Sequence, residues 1–235
     1  MKKSLCFSLS LFAASVLLAA DASPKADVTS AAAALGNQPN YAWRTTVEVG
    51  NNSRFRPGPT EGKTEKTGYT TFSMTFNDAT TEVVLQGTNA AVKTPDDGWQ
   101  SAAEALQDNG GGFSPGQFAA RIAQNFKAPA AQAATLATQA AALQAGTNGI
   151  SGELTEAGAK ELLTFRGGNA TVTNPKGSVT FWLTDGKLLK FQTHVTGTVS
   201  FNGNDRDVDR TTTTEIKDVG TTKIEIPAEA RKKLE

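Results

Sequence analysis

Cysteine and histidine are almost absent from this sequence of 235 residues, which contains one of each. A disulfide framework needs paired cysteines, and a zinc site needs several cysteine or histidine ligands, so both classes are excluded. An excess of charge is lacking as well, because 23 Lys and Arg balance 23 Asp and Glu. A nucleic-acid-binding surface normally has a strong excess of basic residues, so nucleic acid is excluded as a partner. We expect no metal ion and no cofactor.

Long apolar runs are also lacking, except at the N-terminus. Two lysines precede an apolar run over residues 5–18, and small residues follow it. This pattern predicts a signal peptide over residues 1–20, with cleavage after Ala20 or Ala22. The run is shorter than the about 20 apolar residues of a membrane-spanning helix. We therefore expect a protein of the periplasm or the exterior, with one domain over residues 21–235.

Threonine and alanine divide the remaining chain into three parts. Threonine is frequent over residues 41–99 and again after residue 164, whereas alanine dominates residues 102–145. Because threonine favours strands and alanine favours helices, the expected order is strands, then helices, then strands. Residues 22–35 form an alanine-rich lead-in for which we expect a short helix.

Local signals place the helices of the middle part. Ser101 with Glu104, and Ser114 with Gln117, have the spacing of a capping box, which predicts two helix starts. Pro129 opens an alanine-rich helix that should end near residue 146, and a further helix is expected over residues 156–163.

The strands show alternating apolar and polar residues, which is typical of antiparallel strands with one buried face. The clearest run covers residues 189–201, and a short strand is also expected over residues 222–226. A sheet of nine or ten strands would curl, and the helical segment could cover its apolar face. The predicted fold is therefore α+β: a curled antiparallel β-sheet, or half-open β-barrel, with a helical lid inserted between two sets of strands.

A curved sheet and helices rarely fill the space between them, so we expect a hydrophobic cavity that suits an acyl chain. Burial of such a chain contributes about 0.8 kcal/mol per methylene before ordering costs are subtracted. The residues predicted to line the cavity are apolar and lie on the expected inner faces of strands and helices: Trp43, Val47, Phe72, Met74, Phe76, Phe118, Ile122, Phe126, Phe181, Leu183, Leu189, Phe191, Val195, Val199 and Phe201.

One motif is typical of an enzyme. Residues 112–116 match the G-x-S-x-G pattern of serine hydrolases, and Asp185 and His194 follow Ser114 in the required order. The residue after the nucleophile must donate its backbone N–H to the oxyanion, and here it is Pro115, which has none. A helix cap at Ser114 explains the same residues, so we expect no enzymatic activity.

The order of elements resembles a known family. The chain has a Tyr41-x-Trp43 first strand, a segment over residues 93–99 that ends in Asp97-Gly98-Trp99, then helices, then long threonine-rich strands closing at residues 223–227. This resembles the LolA/LolB/LppX superfamily of bacterial envelope lipoprotein and lipid carriers.

The resemblance implies a half-open barrel with a helical lid, a hydrophobic cavity, a lipid or acylated lipoprotein cargo and a transient membrane-protein partner. It also implies an arginine that locks the lid, for which Arg44 is the candidate.

The expected function is an exported carrier of lipids or lipoprotein acyl chains in the bacterial periplasm. The alternative is a non-enzymatic sensor or binding module of the same fold that contacts an envelope protein. That alternative depends on residues 51–68, which are polar, contain Pro57 and Pro59 and predict a long exposed loop.

Overall fold

The computed structural model describes residues 23–50, 57–76, 79–107, 114–164 and 170–235. The predicted signal peptide lies outside the described residues, and so do residues 51–56 of the predicted loop. The side chain of Phe76 is also outside the description, although its backbone belongs to a strand.

In the part of the chain that the structure describes, one sheet of eleven antiparallel strands forms the centre. The strands are β1 (Asn40–Val49), β2 (Thr60–Glu65), β3 (Tyr69–Phe76), β4 (Ala79–Gln86), β5 (Asn89–Thr94), β6 (Gly98–Ser101), β7 (Gln144–Gly146), β8 (Gly149–Glu153), β9 (Thr171–Thr184), β10 (Lys187–Phe201) and β11 (Asn204–Lys217). Their spatial order is β6-β5-β4-β3-β2-β1-β11-β10-β9-β8-β7. The sheet is open, because β6 and β7 are its two edges.

Six helices among the described residues accompany the sheet: α1 (Pro24–Gly36), α2 (Ala102–Leu106), α3 (Pro115–Gln124), α4 (Pro129–Gln139), α5 (Glu156–Leu163) and α6 (Ala228–Lys233). Helices α2, α3 and α4 follow one another between β6 and β7, so the chain passes through them from one sheet edge to the other. The α+β fold, with an antiparallel sheet and helices inserted between two sets of strands, is confirmed.

The helix starts follow the predicted caps. Ser101 and Glu104 form a complete capping box at α2. The Ser114 hydroxyl accepts a hydrogen bond from the Gln117 amide at 3.3 Å, and Pro115 takes the first helical position of α3. Each of these signals involves residues within one turn, which is why the sequence alone was sufficient to place them.

The main core lies between one face of the sheet, here called the inner face, and the helices. The inner face carries Trp43, Phe72, Phe181 and Phe191 among other buried residues. A smaller core lies on the outer face, where Val84 and Ala91 meet α6. Neighbouring residues on β4 and β5 alternate between the two faces, so both cores follow from the period of two of a strand.

The prediction of a long loop over residues 51–68 is wrong for much of that range. Thr60–Glu65 is strand β2, which pairs with both β1 and β3. Gly62, interpreted as part of a flexible loop, lies under the indole of Trp43: a Cβ at residue 62 would be 2.2 Å from Trp43 Cζ2. The glycine therefore admits a large neighbour from the adjacent strand, and the loop on which the sensor alternative depends is shorter than expected.

Two other predictions of secondary structure are wrong. No strand covers residues 222–226; positive φ angles at Asp218 and Gly220 turn the chain away after β11, whose two neighbours β10 and β1 are already in place. The alanine-rich helix ends at Gln139 rather than near residue 146, because residues 144–146 pair with β8 as an edge strand.

Leu189 was predicted to point to the inner face, and this is also wrong. A β-bulge interrupts the pairing of β10 with β9 between Leu188 and Lys190. The bulge shifts the alternation by one residue, so Leu188 is buried and Leu189 is 46% exposed.

Candidate functional site: a cleft between two alanine-rich helices

The predicted cavity residues separate into five groups in the structure. Six are buried in the main core: Trp43, Phe72, Met74, Phe181, Phe191 and Val195. Five are partly buried and pack against it: Phe118, Ile122, Phe126, Leu183 and Val199. Val47 is half-buried, Phe76 has no described side chain, and Leu189 and Phe201 are exposed. Phe201 is 55% exposed because it ends β10 at the Asn202–Gly203 turn.

Three aromatic rings from distant parts of the chain meet on the inner face. Phe126, which follows α3, stacks on Trp43 of β1 at 5.7 Å between centroids and on Phe72 of β3 at 5.2 Å. Trp43 and Phe72 are 6.1 Å apart. These distances are typical of favourable aromatic pairs. The three residues form a packed aromatic cluster, and their role as ligand contacts stays a prediction.

The space under the helices is largely filled near β9 and β10. Helix α1 lies against β10 and α4, and its Val28 is fully buried. Phe181, Phe191 and Leu136 of α4 are also buried almost completely. The predicted alanine-rich lead-in is therefore a structural helix whose apolar residues belong to the main core.

An apolar cleft of about 400 Å³ remains at the margin, between α1, α4 and the β1–β2 pair. Its helical walls consist of small residues: Ala32, Ala33 and Gly36 from α1, and Ala128, Ala130, Ala131 and Ala134 from α4 or just before it. Tyr41 and Thr64, which are paired across β1 and β2, also line it. Thr29, Gln38, Glu65 and Lys66 complete the lining with polar groups.

Small side chains create this cleft. Where α1 and α4 face each other, alanine and glycine leave a groove that leucine or phenylalanine would fill. At Gly36 an added Cβ would meet the Ala130 Cβ at 3.6 Å, which shows how closely the helices approach there. Large apolar residues do not mark this site in the sequence; the signal that does is the recurrence of alanine in the two segments that become α1 and α4.

Tyr41 is the polar group in this lining that is most deeply buried, with 3% of its surface exposed. Its Oη accepts a hydrogen bond from the Ala130 backbone N–H at 3.4 Å, near the start of α4. Burial raises the pKa of the Tyr41 phenol, although hydrogen bonds from Ala130 and Thr64 act in the opposite direction. The phenol is therefore neutral at physiological pH and keeps a hydrogen that it can donate.

A second cleft, of about 610 Å³, is more polar. It lies beside the start of α5 and the irregular part of β9, and its lining includes Glu153, Glu156, Asn174 and Lys176. Its mixture of charges does not favour an apolar chain.

The prediction that Arg44 contacts the helical lid is wrong. Arg210 is the arginine that the described hydrogen bonds place against a helix from the inner face. Arg44 follows Trp43 in β1, so it points to the outer face, where it is paired with Glu61 at 3.7 Å. Arg210 of β11 lies opposite Val195 of the inner face, and its Nη2 donates to the Leu162 carbonyl oxygen of α5 at 2.5 Å. Sequence gave no signal for this contact, because 48 residues separate the two partners.

The hydrolase motif does not assemble around Ser114. Its hydroxyl caps α3, Asp185 occupies a turn at a φ of 51°, and His194 Nε2 is bonded to Asp209 at 2.9 Å. Within the described ranges, no group of three or more His, Cys, Asp or Glu is suited to hold a metal ion. No helix among these residues is both long and apolar enough to cross a membrane.

Similar solved structures include two mycobacterial proteins. One is LprF from Mycobacterium bovis, with 13% sequence identity and a TM-score of 0.47, covering 88% of this chain and 97% of that one. The other is the lipoprotein LppX from Mycobacterium tuberculosis, with 12% identity and a TM-score of 0.48, covering 87% of this chain and 99% of that one. Neither a protein-family model nor a curated protein matches the sequence.

Proposed function

We propose that this protein is an exported carrier of the bacterial periplasm that binds the acyl chain of a lipid or of an acylated lipoprotein. The observation that supports it is the alanine-lined cleft between α1, α4 and the β1–β2 pair. Export is inferred from the N-terminal sequence pattern alone.

The size and lining of the cleft favour a single apolar chain. Ligand pockets are commonly about 300–1,000 Å³ and mostly apolar, with few polar groups, and a cleft of about 400 Å³ is near the lower end of that range. About ten buried methylenes would contribute about 8 kcal/mol before ordering and desolvation costs. That is enough for reversible binding, which a carrier needs in order to release its cargo.

The polar groups of the lining suit an amphiphile rather than a hydrocarbon. Gln38, Glu65 and Lys66 belong to the cleft; Glu65 is the last residue of β2, and Lys66 begins the exposed turn after it. A headgroup could remain hydrated beside these residues while its chain contacts the alanines. Delivery of the cargo would use a transient contact with a membrane protein.

Occlusion of the cleft tests this function. Ala33 on α1 and Ala131 on α4 line the cleft but are exposed, so a phenylalanine at either position would occupy the cleft without disturbing the core. We expect wild type to bind a fluorescent fatty acid saturably, and Ala33→Phe and Ala131→Phe to weaken binding at least about tenfold, since several methylene contacts are lost. Fluorescence titration measures this.

Ala34→Phe is the matched control, because Ala34 is an exposed neighbour on the same helix that does not belong to the cleft lining. It should bind like wild type. Native mass spectrometry of the exported protein provides a second test, since co-purified lipid should be present in wild type and reduced in Ala131→Phe. Absence of binding in wild type, or an equal loss in Ala34→Phe, would contradict the proposal.

A further inference from the structure

A chain of hydrogen bonds connects the aromatic cluster to the cleft through Thr64. Its Oγ1 accepts from Trp43 Nε1 at 3.2 Å and from Thr70 Oγ1 at 3.3 Å. A hydroxyl has two acceptor sites and one hydrogen, so Thr64 must direct its own hydrogen elsewhere. Its remaining hydrogen-bond partner is Tyr41.

Tyr41 likewise has one hydroxyl hydrogen to donate. Tyr41 Oη accepts from the Ala130 N–H at 3.4 Å, and Thr64, which already accepts from Trp43 and Thr70, can act on Tyr41 only as a donor. The hydrogen bonds of the described residues assign no acceptor to the phenolic hydrogen. A buried donor without a partner costs free energy, and buried polar groups are almost always satisfied. The two side chains also line the apolar cleft, so a bound molecule can supply the acceptor.

We infer that Tyr41 donates its phenolic hydrogen to the carbonyl oxygen of an ester- or amide-linked acyl chain bound in the cleft. This inference rests on the proposed function and names the chemical class of the ligand. The network holds the donor in place, because Thr64 and the start of α4 fix the Oη position from two sides.

A carbonyl is the acceptor that best fits this geometry. Tyr41 is neutral and lies within a largely apolar lining, so a neutral acceptor avoids the cost of burying a charge. An acyl ester has its carbonyl where the chain meets the headgroup. The alanine walls would then hold the chain, while Gln38 and Lys66 of the same lining remain available to the headgroup.

The test compares two ligands that differ only at the carbonyl: methyl hexadecanoate and methyl hexadecyl ether. Displacement of a fluorescent fatty acid gives the affinity of each. We expect wild type to bind the ester about fivefold more tightly than the ether, the effect of one neutral hydrogen bond. In Tyr41→Phe this preference should disappear, while the ether binds as it does to wild type.

Infrared spectroscopy of a ¹³C-carbonyl ester gives a second measurement that needs no variant. The carbonyl stretch should move to lower frequency in the wild-type complex than in an apolar solvent. This measurement keeps the inference testable if Tyr41→Phe folds poorly, since that variant leaves the Ala130 N–H and the Thr64 hydroxyl without their acceptor.

The outcomes separate the two proposals. If neither ligand binds to wild type, the carrier function fails. If both bind with equal affinity and the carbonyl stretch is unshifted, the carrier function stands and the role of Tyr41 is overturned.

Discussion

Two regions of the inner face differ in what the covering segments present to the sheet. Over β1 and β3, the segment after α3 presents Phe126, which stacks on Trp43 and Phe72. Beside the β1–β2 pair, α1 and α4 meet largely through alanine, and a cleft remains. Both regions lie against the same sheet, and they differ in the volume of the side chains that the covering segments present to it.

The comparison shows how one fold can combine stability with a binding site. A buried phenylalanine contributes about 1.5–3 kcal/mol through removal of its surface from water, whereas an alanine contributes much less. The aromatic cluster therefore stabilises the position of the sheet and of the segment after α3. In the alanine region, less packing free energy is lost when a ligand separates the two helices, which suits reversible binding.

The largest expected effect is in the aromatic cluster. Phe72 is 4% exposed and contacts both of the other rings, so Phe72→Ala removes two aromatic contacts and leaves a cavity. We expect the free energy of unfolding to fall by about 3–5 kcal/mol. Urea denaturation followed by tryptophan fluorescence measures it.

Ala133→Gly supplies the contrast from the alanine region. Ala133 is fully buried in α4, and its replacement should cost about 1 kcal/mol, mainly through helix propensity. If Phe72→Ala cost no more than Ala133→Gly, the two regions would contribute equally and the comparison would fail.

An intermediate effect is expected where α5 is attached to the sheet. Arg210→Met removes the hydrogen bond of a charged group to the Leu162 carbonyl at the C-terminal end of α5, where the helix dipole favours a cation. We expect a loss of about 1.5–3 kcal/mol, with faster hydrogen exchange of the α5 amides. Native-state hydrogen exchange measures both.

Arg44→Met is the matched control for Arg210→Met. The Arg44–Glu61 pair is exposed on the outer face, so its loss should cost at most about 1 kcal/mol and leave α5 unchanged. Equal effects of the two substitutions would show that Arg210 does not hold the helix.

The smallest effect is a dependence of stability on pH at α2. Hydrogen bonds from Lys233 and from the Ser101 backbone hold the pKa of the Glu104 carboxyl below its usual range. A carboxyl with a lowered pKa stabilises the folded state above its unfolded pKa, and this contribution is lost as the pH falls through the folded pKa.

Glu104→Gln should therefore be slightly less stable than wild type at pH 7, and the difference should close on acidification towards pH 3. Thermal unfolding at a series of pH values tests this. Lys233→Met should reproduce most of the effect, because Lys233 donates to both Glu104 carboxylate oxygens at 2.9 Å. A difference that stays constant with pH would exclude Glu104 as its source.

Local signals predicted a large part of the fold. Helix α5 was predicted with the bounds that the structure has, and the caps at Ser101 and Ser114 are formed as expected. Buried residues such as Phe72, Phe181 and Phe191 follow from alternation along single strands. These features depend on residues that are neighbours in sequence, so a single sequence contains the information.

The candidate site was predicted only in part. Most of the large apolar residues expected as a lining belong to the main core or pack against it, whereas the cleft is lined by alanines that composition identified only as helix formers. Tyr41 belongs to the Tyr41-x-Trp43 pattern of the predicted first strand, but its contacts with Ala130 and Thr64 join residues 89 and 23 positions away. Such contacts depend on how α4 and β2 approach β1.

The sequence by itself determined that α1 to α5 are helical, where the main caps lie and which faces of the long strands are buried, since each depends on propensity and on the period of a strand. Helix α6 was not predicted. Tertiary structure decided that β2 is a strand, that a bulge exposes Leu189, that α1 packs against α4 and β10 and that Arg210 contacts α5. Gly62 illustrates the physical reason. A residue without a Cβ is needed there because the Trp43 indole lies against it, and the two residues meet only after β1 and β2 have paired.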